Sequence, residues 1–323
     1  MCSNPNNLSK LWCLASMIFF FSVQCLYAQN TNKFNVFQLL SDIKTLSADE
    51  YQGRGTGTQG SRKAQEYIIK RFVECRLMPF NGYFEQEFDI VNAFMPGNRK
   101  VKATNLIGYI EGTTEKETYM VITAHYDHLG IRNNEIFNGA DDNASGIAGL
   151  LGIADYLQKN KPTCSVMFVA FDAEELGLKG ATHFIENLPV PKEKIALNIN
   201  IDMISRNYKN QIYACGTYHY PFLKKYMETN KHQYEITLMF GHDVPEKSSG
   251  GVQDWTFASD HGPFHKAGIP FIYFGVEDHP DYHKPTDKFE TINQAFFVKA
   301  TELILDNILI FDKNINNIKN DKK

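Results

Sequence analysis

Histidines and carboxylates recur in short clusters along this chain. His125 and Asp127 stand in "TAHYDH", Asp141 and Asp142 in "GADDNASG", and Glu174 and Glu175 in "FDAEELG". Asp202 follows in "NINIDM", and His279, Asp281 and His283 in "HPDYHKPTD". Imidazole mixed with carboxylate and without thiolate suits zinc, or another first-row divalent ion, better than calcium or magnesium. The carboxylates are too many for one structural zinc, whose shell is closed and usually rich in cysteine. Two cations about 3.5–4 Å apart, bridged by one carboxylate and a water, would use them. The adjacent glutamates 174 and 175 admit two readings. Alone, they are a solvated turn opening a helix, where acidic side chains are favoured. Beside the other clusters, one holds a cation and the other moves a proton. His125 and Asp127, two apart on a strand, point the same way. Asp127 is therefore expected to accept a hydrogen bond from the ring nitrogen of His125 that faces away from the metal.

These clusters need a frame that brings them together. "TNLIGYIEG" and "TYMVITAHYD" read as strands, and "CSVMFVAFD" is a continuous apolar strand. "ASGIAGLLGIADYLQ" carries Ile147, Leu150, Leu151, Ala154 and Leu157 at helical spacing, and a further helix is expected at about 177–186. "KIALNINIDMI", "QIYACGT", "YEITLMFG" and "IPFIYFGV" supply more strands, and "QAFFVKATELILDNILIF" a last helix. Continuous apolar strands separated by helices imply an α/β fold, with a largely parallel sheet covered on both faces. In such sheets the active site lies beyond the carboxyl ends of the strands. "TAHYDH", "FDAEELG" and "NINIDM" all sit at such ends. Earlier, Ala64, Ile68, Phe72 and Cys75 share one face of a helix. The "GRGTGTQG" before it follows no strand and lacks the spacing of a dinucleotide fingerprint.

The chain has 323 residues, 43% hydrophobic and 22% charged, a globular composition. Its net charge of -4 is spread along the chain and points to neither a nucleic-acid partner nor a polybasic membrane surface. Residues 11–28 form an uncharged apolar run after Lys10. Residues 1–28 read as a signal peptide, with a membrane anchor and a lipoprotein modified at Cys25 as weaker alternatives. The folded part is then expected to be secreted or periplasmic, as one domain over 29–323. Cys75, Cys164 and Cys215 remain outside the leader, allow one disulfide at most, and suit buried apolar positions.

Taken in order, "HYD", "GADDNASG", "AFDAEELGLKG", "NINIDM", "SDHGPF" with "AGIPFIYF", and "PDYHKPTD" resemble the co-catalytic zinc peptidases of the aminopeptidase Y type. That family also holds bacterial leucyl aminopeptidases, glutamate carboxypeptidases and glutaminyl cyclases. The resemblance implies a three-layer α/β sandwich with a mixed, mostly parallel sheet and two zinc ions. It implies His125, Asp142 and Asp202 as ligands of one ion and Asp142, Glu175 and His283 as ligands of the other, with Asp142 as the bridge. It also implies a cis peptide after Asp142, Glu174 as general base and a supporting catalytic role for Asp127. Adjacent side chains diverge at a strand end, so Glu175 can turn to a metal while Glu174 faces the water. Asp172 alone keeps the solvated-turn reading. The expected substrate is the free N-terminus of a peptide or protein; carboxypeptidase or dipeptidase action, a glutaminyl cyclase and a non-catalytic binding module are the other readings. Tyr282, Tyr218 and Ser259 are candidates to stabilise the oxyanion, and Asp260 to buttress the site. His261 and His265 read as loop or supporting residues. His128, His183, His219, His232, His242 and His279 read as surface or packing residues.

Overall fold

Strands in this chain are long apolar runs bounded by turns, and the computed structural model builds one large sheet from them. It describes residues 33–92, 97 and 99–322, so the signal peptide assigned to 1–28 lies outside the described residues. The strands are β1 (Met78–Pro79), β2 (Glu85–Asn92), β3 (Arg99–Ile110), β4 (Glu115–His125), β5 (Gly130–Arg132) and β6 (Glu135–Phe137). They continue with β7 (Cys164–Phe171), β8 (Ile195–Ile201), β9 (Gln211–Cys215), β10 (His232–Gln233), β11 (Ile236–Phe240) and β12 (Phe271–Gly275). The main sheet runs β1-β3-β7-β4-β8-β12-β9-β11-β10, with β2 also on β3; β5 and β6 form a separate hairpin. Its centre, β7-β4-β8-β12, is parallel throughout. The outer strands bring antiparallel pairs, at β3 with β7 and at β9 with β12, so the sheet is mixed. β1, β2, β4, β7, β8, β10 and β12 run one way and β3, β9 and β11 the other.

Every residue of β7 is buried, as a strand covered on both faces requires. Val166, Phe168 and Ala170 pack into one apolar layer and Met167, Val169 and Phe171 into the other, following the two-residue alternation of side chains. The first layer is closed by the helices Val36–Leu46, Gln59–Glu74, Gly146–Lys159 and Gln294–Lys313. The second is closed by Lys179–Glu186 and His261–Lys266, through Ala181, Phe184 and Phe264. Ile147, Leu150, Leu151, Ala154 and Leu157 are all fully buried on Gly146–Lys159, the face their spacing selects. The helix expected from 177 starts at Lys179, because Gly177 and Leu178 take left-handed backbone (φ 91° and 59°). Cys75, Cys164 and Cys215 are free and buried. Among the described residues no helix is long and apolar enough to cross a membrane.

Parallel strands end together. β4 stops at His125, β7 at Phe171 and β8 at Ile201, all on the edge where β12 feeds the loop to His283. This edge carries the site.

Candidate functional site

Asp142 stands at the centre of the cluster, with one oxygen toward each of two groups of donors. Its Oδ1 is 3.4 Å from His125 Nε2, which lies 3.2 Å from Asp202 Oδ1. Its Oδ2 is 3.1 Å from His283 Nε2 and 3.6 Å from His128 Nδ1. Glu175 Oε1 completes that side, 2.7 Å from His128 Nδ1 and 3.5 Å from His283 Nε2. His125, Asp142 and Asp202 form one group able to hold a cation, and His128, Asp142 and Glu175 a second. Zinc sits about 2.0–2.2 Å from nitrogen and carboxylate donors, so donors around one ion are roughly 3–3.5 Å apart. The spacings fit. His128 Nδ1 and Glu175 Oε1 are buried without a hydrogen bond, the state of atoms that converge on an ion. Burial disfavours an imidazolium at His283, yet the neighbouring carboxylates of Asp142 and Glu175 push its pKa up to about 10. The pocket attracts positive charge.

Backbone hydrogen bonds hold these ligands in place. His125 Nδ1 donates to the carbonyl of Asp127 at 3.1 Å, which turns Nε2 toward Asp142 and Asp202. The turn Ala140–Ser145 presents Asp142, and its amides at 141 and 142 donate to the Asp287 carboxylate at 3.0–3.1 Å. Asp141 points away from the cluster, accepting from the Ser205 amide and hydroxyl at 2.7 Å each. Asn143 Nδ2 donates to Ile201 O, and its Oδ1 accepts from Met203 N, tying the turn to the end of β8. The peptide between Asp142 and Asn143 is cis. Beneath the site, fully buried Arg54 donates to four carbonyls: Tyr126 and Leu46 at 2.7 Å, Asn138 at 2.6 Å and Gly139 at 2.9 Å. Burial lowers its pKa to about 10 against the pull of Asp142, Asp287, Asp127 and Glu175, so it stays charged at neutral pH.

Residues 105–308 match peptidase family M28. The chain belongs to that family. Its sequence is 30% identical over 213 residues to aminopeptidase YwaD of Bacillus subtilis, covering 62% of this chain and 43% of that one. Among solved structures, it resembles BSAP, a zinc aminopeptidase from Bacillus subtilis, with a TM-score of 0.69 at 18% identity over 85% of this chain and 95% of that one. A glutaminyl cyclase from Bacteroides thetaiotaomicron, bound to N-acetylhistamine, reaches 0.70 at 17% identity over 87% and 99%. These likenesses show the shared fold. Peptidase family M28 is thus the family of the chain, and zinc is the metal its donors fit.

Three expectations change at the level of side chains. The Asp127 carboxylate is 3.8 Å from His125 Nδ1 and instead accepts from the amides of Glu174 (3.0 Å) and Glu175 (3.2 Å). β4 ends at His125, so strand alternation no longer governs Asp127. Asp172 is not a solvated turn residue. It is fully buried, accepting from Thr104 N, Tyr126 OH and Thr56 Oγ1 at 2.8–2.9 Å. His128 is not a surface or packing residue but stands beside Glu175 and Asp142. The "HYDH" spacing placed it three after His125, on a loop whose path no periodicity reveals.

Glu174 lines a cleft of about 300 Å³ together with Leu178, Met203, Ala258 and Tyr282, over the cluster. Burial, against the pull of His125 and reinforced by Asp260, Glu175 and Asp202, holds its carboxyl well above the usual range. Asp260 is buried too, and burial raises its pKa to about 7. Tyr282 stacks on His283 with ring centroids 4.0 Å apart, whereas Tyr218 is exposed and Ser259 accepts from Asn200 Nδ2. His279 pairs with Asp141 at 3.2 Å, His261 bonds the Trp255 carbonyl at 2.8 Å, and His265 meets Tyr220 OH at 2.9 Å. None of these three reaches the cluster.

Proposed function

We propose that the chain is a two-zinc exopeptidase that removes residues from the free N-terminus of peptides. One observation carries the reading. The cleft over the donor cluster is lined by Glu174, Glu175, Asp142 and Asp202, and none of the described residues lining it is Lys or Arg. With Asp142, Asp202 and Glu175 holding metal, such a lining leaves Glu174 for a substrate ammonium and offers no Lys or Arg to a substrate carboxylate. Likeness to aminopeptidase YwaD supports the same polarity.

His125, Asp142 and Asp202 would hold one zinc, and Asp142, Glu175 and His283 the other. Bound zinc would supply an acidified water and a polarised peptide carbonyl. Glu174 would serve as base toward that water and would return the proton to the leaving amine. Burial holds its carboxyl above the usual range, which strengthens it as a proton acceptor. Asp127 fixes the glutamate pair by accepting both of their amides. Tyr282 is the phenol placed in the cleft to donate to the developing oxyanion. Burial pushes its pKa up, so it keeps that proton at neutral pH. The proposal includes export by the leader 1–28.

Glu174→Gln tests the base directly. The variant is expected to keep its metal content while kcat falls about 10²- to 10⁴-fold. Near-normal turnover would remove Glu174 from that role.

A further inference from the structure

We infer that His128 is a fourth protein ligand of the ion placed between Asp142, Glu175 and His283, so that one ion takes four donors from the chain and the other three. The inference rests on the two-metal reading above and adds a residue that reading leaves out.

Four observations converge on His128. Its side chain is fully buried, and neither ring nitrogen makes a hydrogen bond. A buried polar atom without a partner costs about 1–3 kcal/mol, so Nδ1, which faces Asp142 and Glu175, points to a ligand role. Secondly, His128 Nδ1 is 2.7 Å from Glu175 Oε1, but the pair misses hydrogen-bond geometry. The atoms are neighbours that do not aim at each other, as lone pairs directed at a common third atom do. Thirdly, the distances of His128 Nδ1 and His283 Nε2 to Asp142 Oδ2 and Glu175 Oε1 run from 2.7 to 3.6 Å. Three of the four, at 3.1–3.6 Å, lie close to the spacing of donors sharing one zinc, and only the contact of His128 with Glu175 is shorter. The two rings meet edge to face, with centroids 5.7 Å apart.

The last observation concerns how the ring is held. Nε2 has no protein partner, so packing must orient it. Gly139 provides the cradle: a Cβ there would lie 2.6 Å from His128 Cδ2 and 2.7 Å from Cγ. With φ 58° the position also favours glycine. Gly139 is held in turn by Arg54, which donates to its carbonyl.

The consequence is a division of labour. A shell of four protein donors is that of a structural zinc, whereas three donors leave a position open for water or substrate. The ion held by His125, Asp142 and Asp202 is then the one that keeps the open position.

The test uses the full chain loaded with cobalt in place of zinc. Contact-shifted imidazole resonances, assigned by histidine-selective labelling, count the ligating histidines. Three are expected in the wild type, with the His128 set absent in His128→Gln. The second cobalt should also bind that variant more than 100-fold more weakly, beyond the roughly 10–100-fold that losing an orienting partner costs. Two bound ions with contact shifts confined to His125 and His283 would overturn the inference while leaving the two-metal reading intact. Fewer than two bound ions would overturn both. The wild-type count stands even where the variant fails to fold.

Discussion

Asp127 does its work through the backbone. Its carboxylate receives the amides of Glu174 and Glu175 and, at 3.3 Å, the hydroxyl of Thr56. Thr56 also reaches Asp172 at 2.8 Å, so the two buried carboxylates share a donor. Burial, together with Asp172, raises the pKa of Asp127 well above the ordinary range. An asparagine at this position would turn an NH₂ toward an amide N–H that has only a donor to offer. Asp127→Asn is therefore expected to displace the glutamate pair, and a misplacement of about 1 Å costs on the order of 10²-fold in rate. Steady-state kinetics should show that loss in kcat with KM little changed. A variant as fast as wild type would confine Asp127 to packing. At this scale the site is unevenly legible in the sequence. His125, Asp142, Glu174, Glu175 and Asp202 fall at strand ends or helix starts, where apolar runs make the position visible. Asp172, also at a strand end, looks like a turn residue in sequence because its partners Thr104, Tyr126 and Thr56 come from distant segments. His128 was missed for the same reason.

At the scale of elements, the least visible part is the loop that carries Arg54. "GRGTGTQG" offers only a negative reading in sequence, as a glycine-rich stretch without a dinucleotide pattern. In the structure its arginine spans the ends of three segments, binding the carbonyls of Leu46, Tyr126, Asn138 and Gly139. Those bonds tie the loop after β4 to the turn that presents Asp142. The guanidinium is planar with donors in a fixed fork, and lysine, a point charge on a flexible stem, cannot reproduce it. Arg54→Met leaves four buried carbonyls without their donor, each worth about 1–3 kcal/mol when unsatisfied. We expect Arg54→Met and Arg54→Lys both to lose more than about 3 kcal/mol in urea unfolding. A loss below about 1 kcal/mol in either would show that the loops hold themselves. By contrast, β7 and the helix Gly146–Lys159 were legible, since a run buried on both faces and a 3.6-residue stripe are local properties. β2 was not: an edge strand with mixed exposure presents no such pattern.

At the scale of the whole molecule, the order of the sheet gathers residues between 125 and 283 onto one edge, and buried titratable groups link its stability to pH. His261 shows this away from the donor cluster. It is fully buried, bonded to the Trp255 carbonyl, and burial lowers its pKa to about 4. The unfolded chain protonates it near 6.5, so between about pH 6.5 and 4 the unfolded state binds the extra proton. Its contribution is thus complete above pH 6.5 and is lost as pH falls toward 4, about 3 kcal/mol across the window. His261→Gln should flatten the fall in urea midpoint over this range relative to wild type. Parallel slopes for the two proteins would contradict the assignment.

The central claim is that the acidic, metal-binding cleft receives a free N-terminus. Hydrolysis of one peptide in two forms, with a free and an acetylated N-terminus, tests it most directly. The zinc-loaded chain is expected to release the N-terminal residue of the free peptide and to cleave the acetylated form at least about 100-fold more slowly. Equal rates on the two, release from the C-terminus, or cyclisation of an N-terminal glutamine in place of hydrolysis would contradict it.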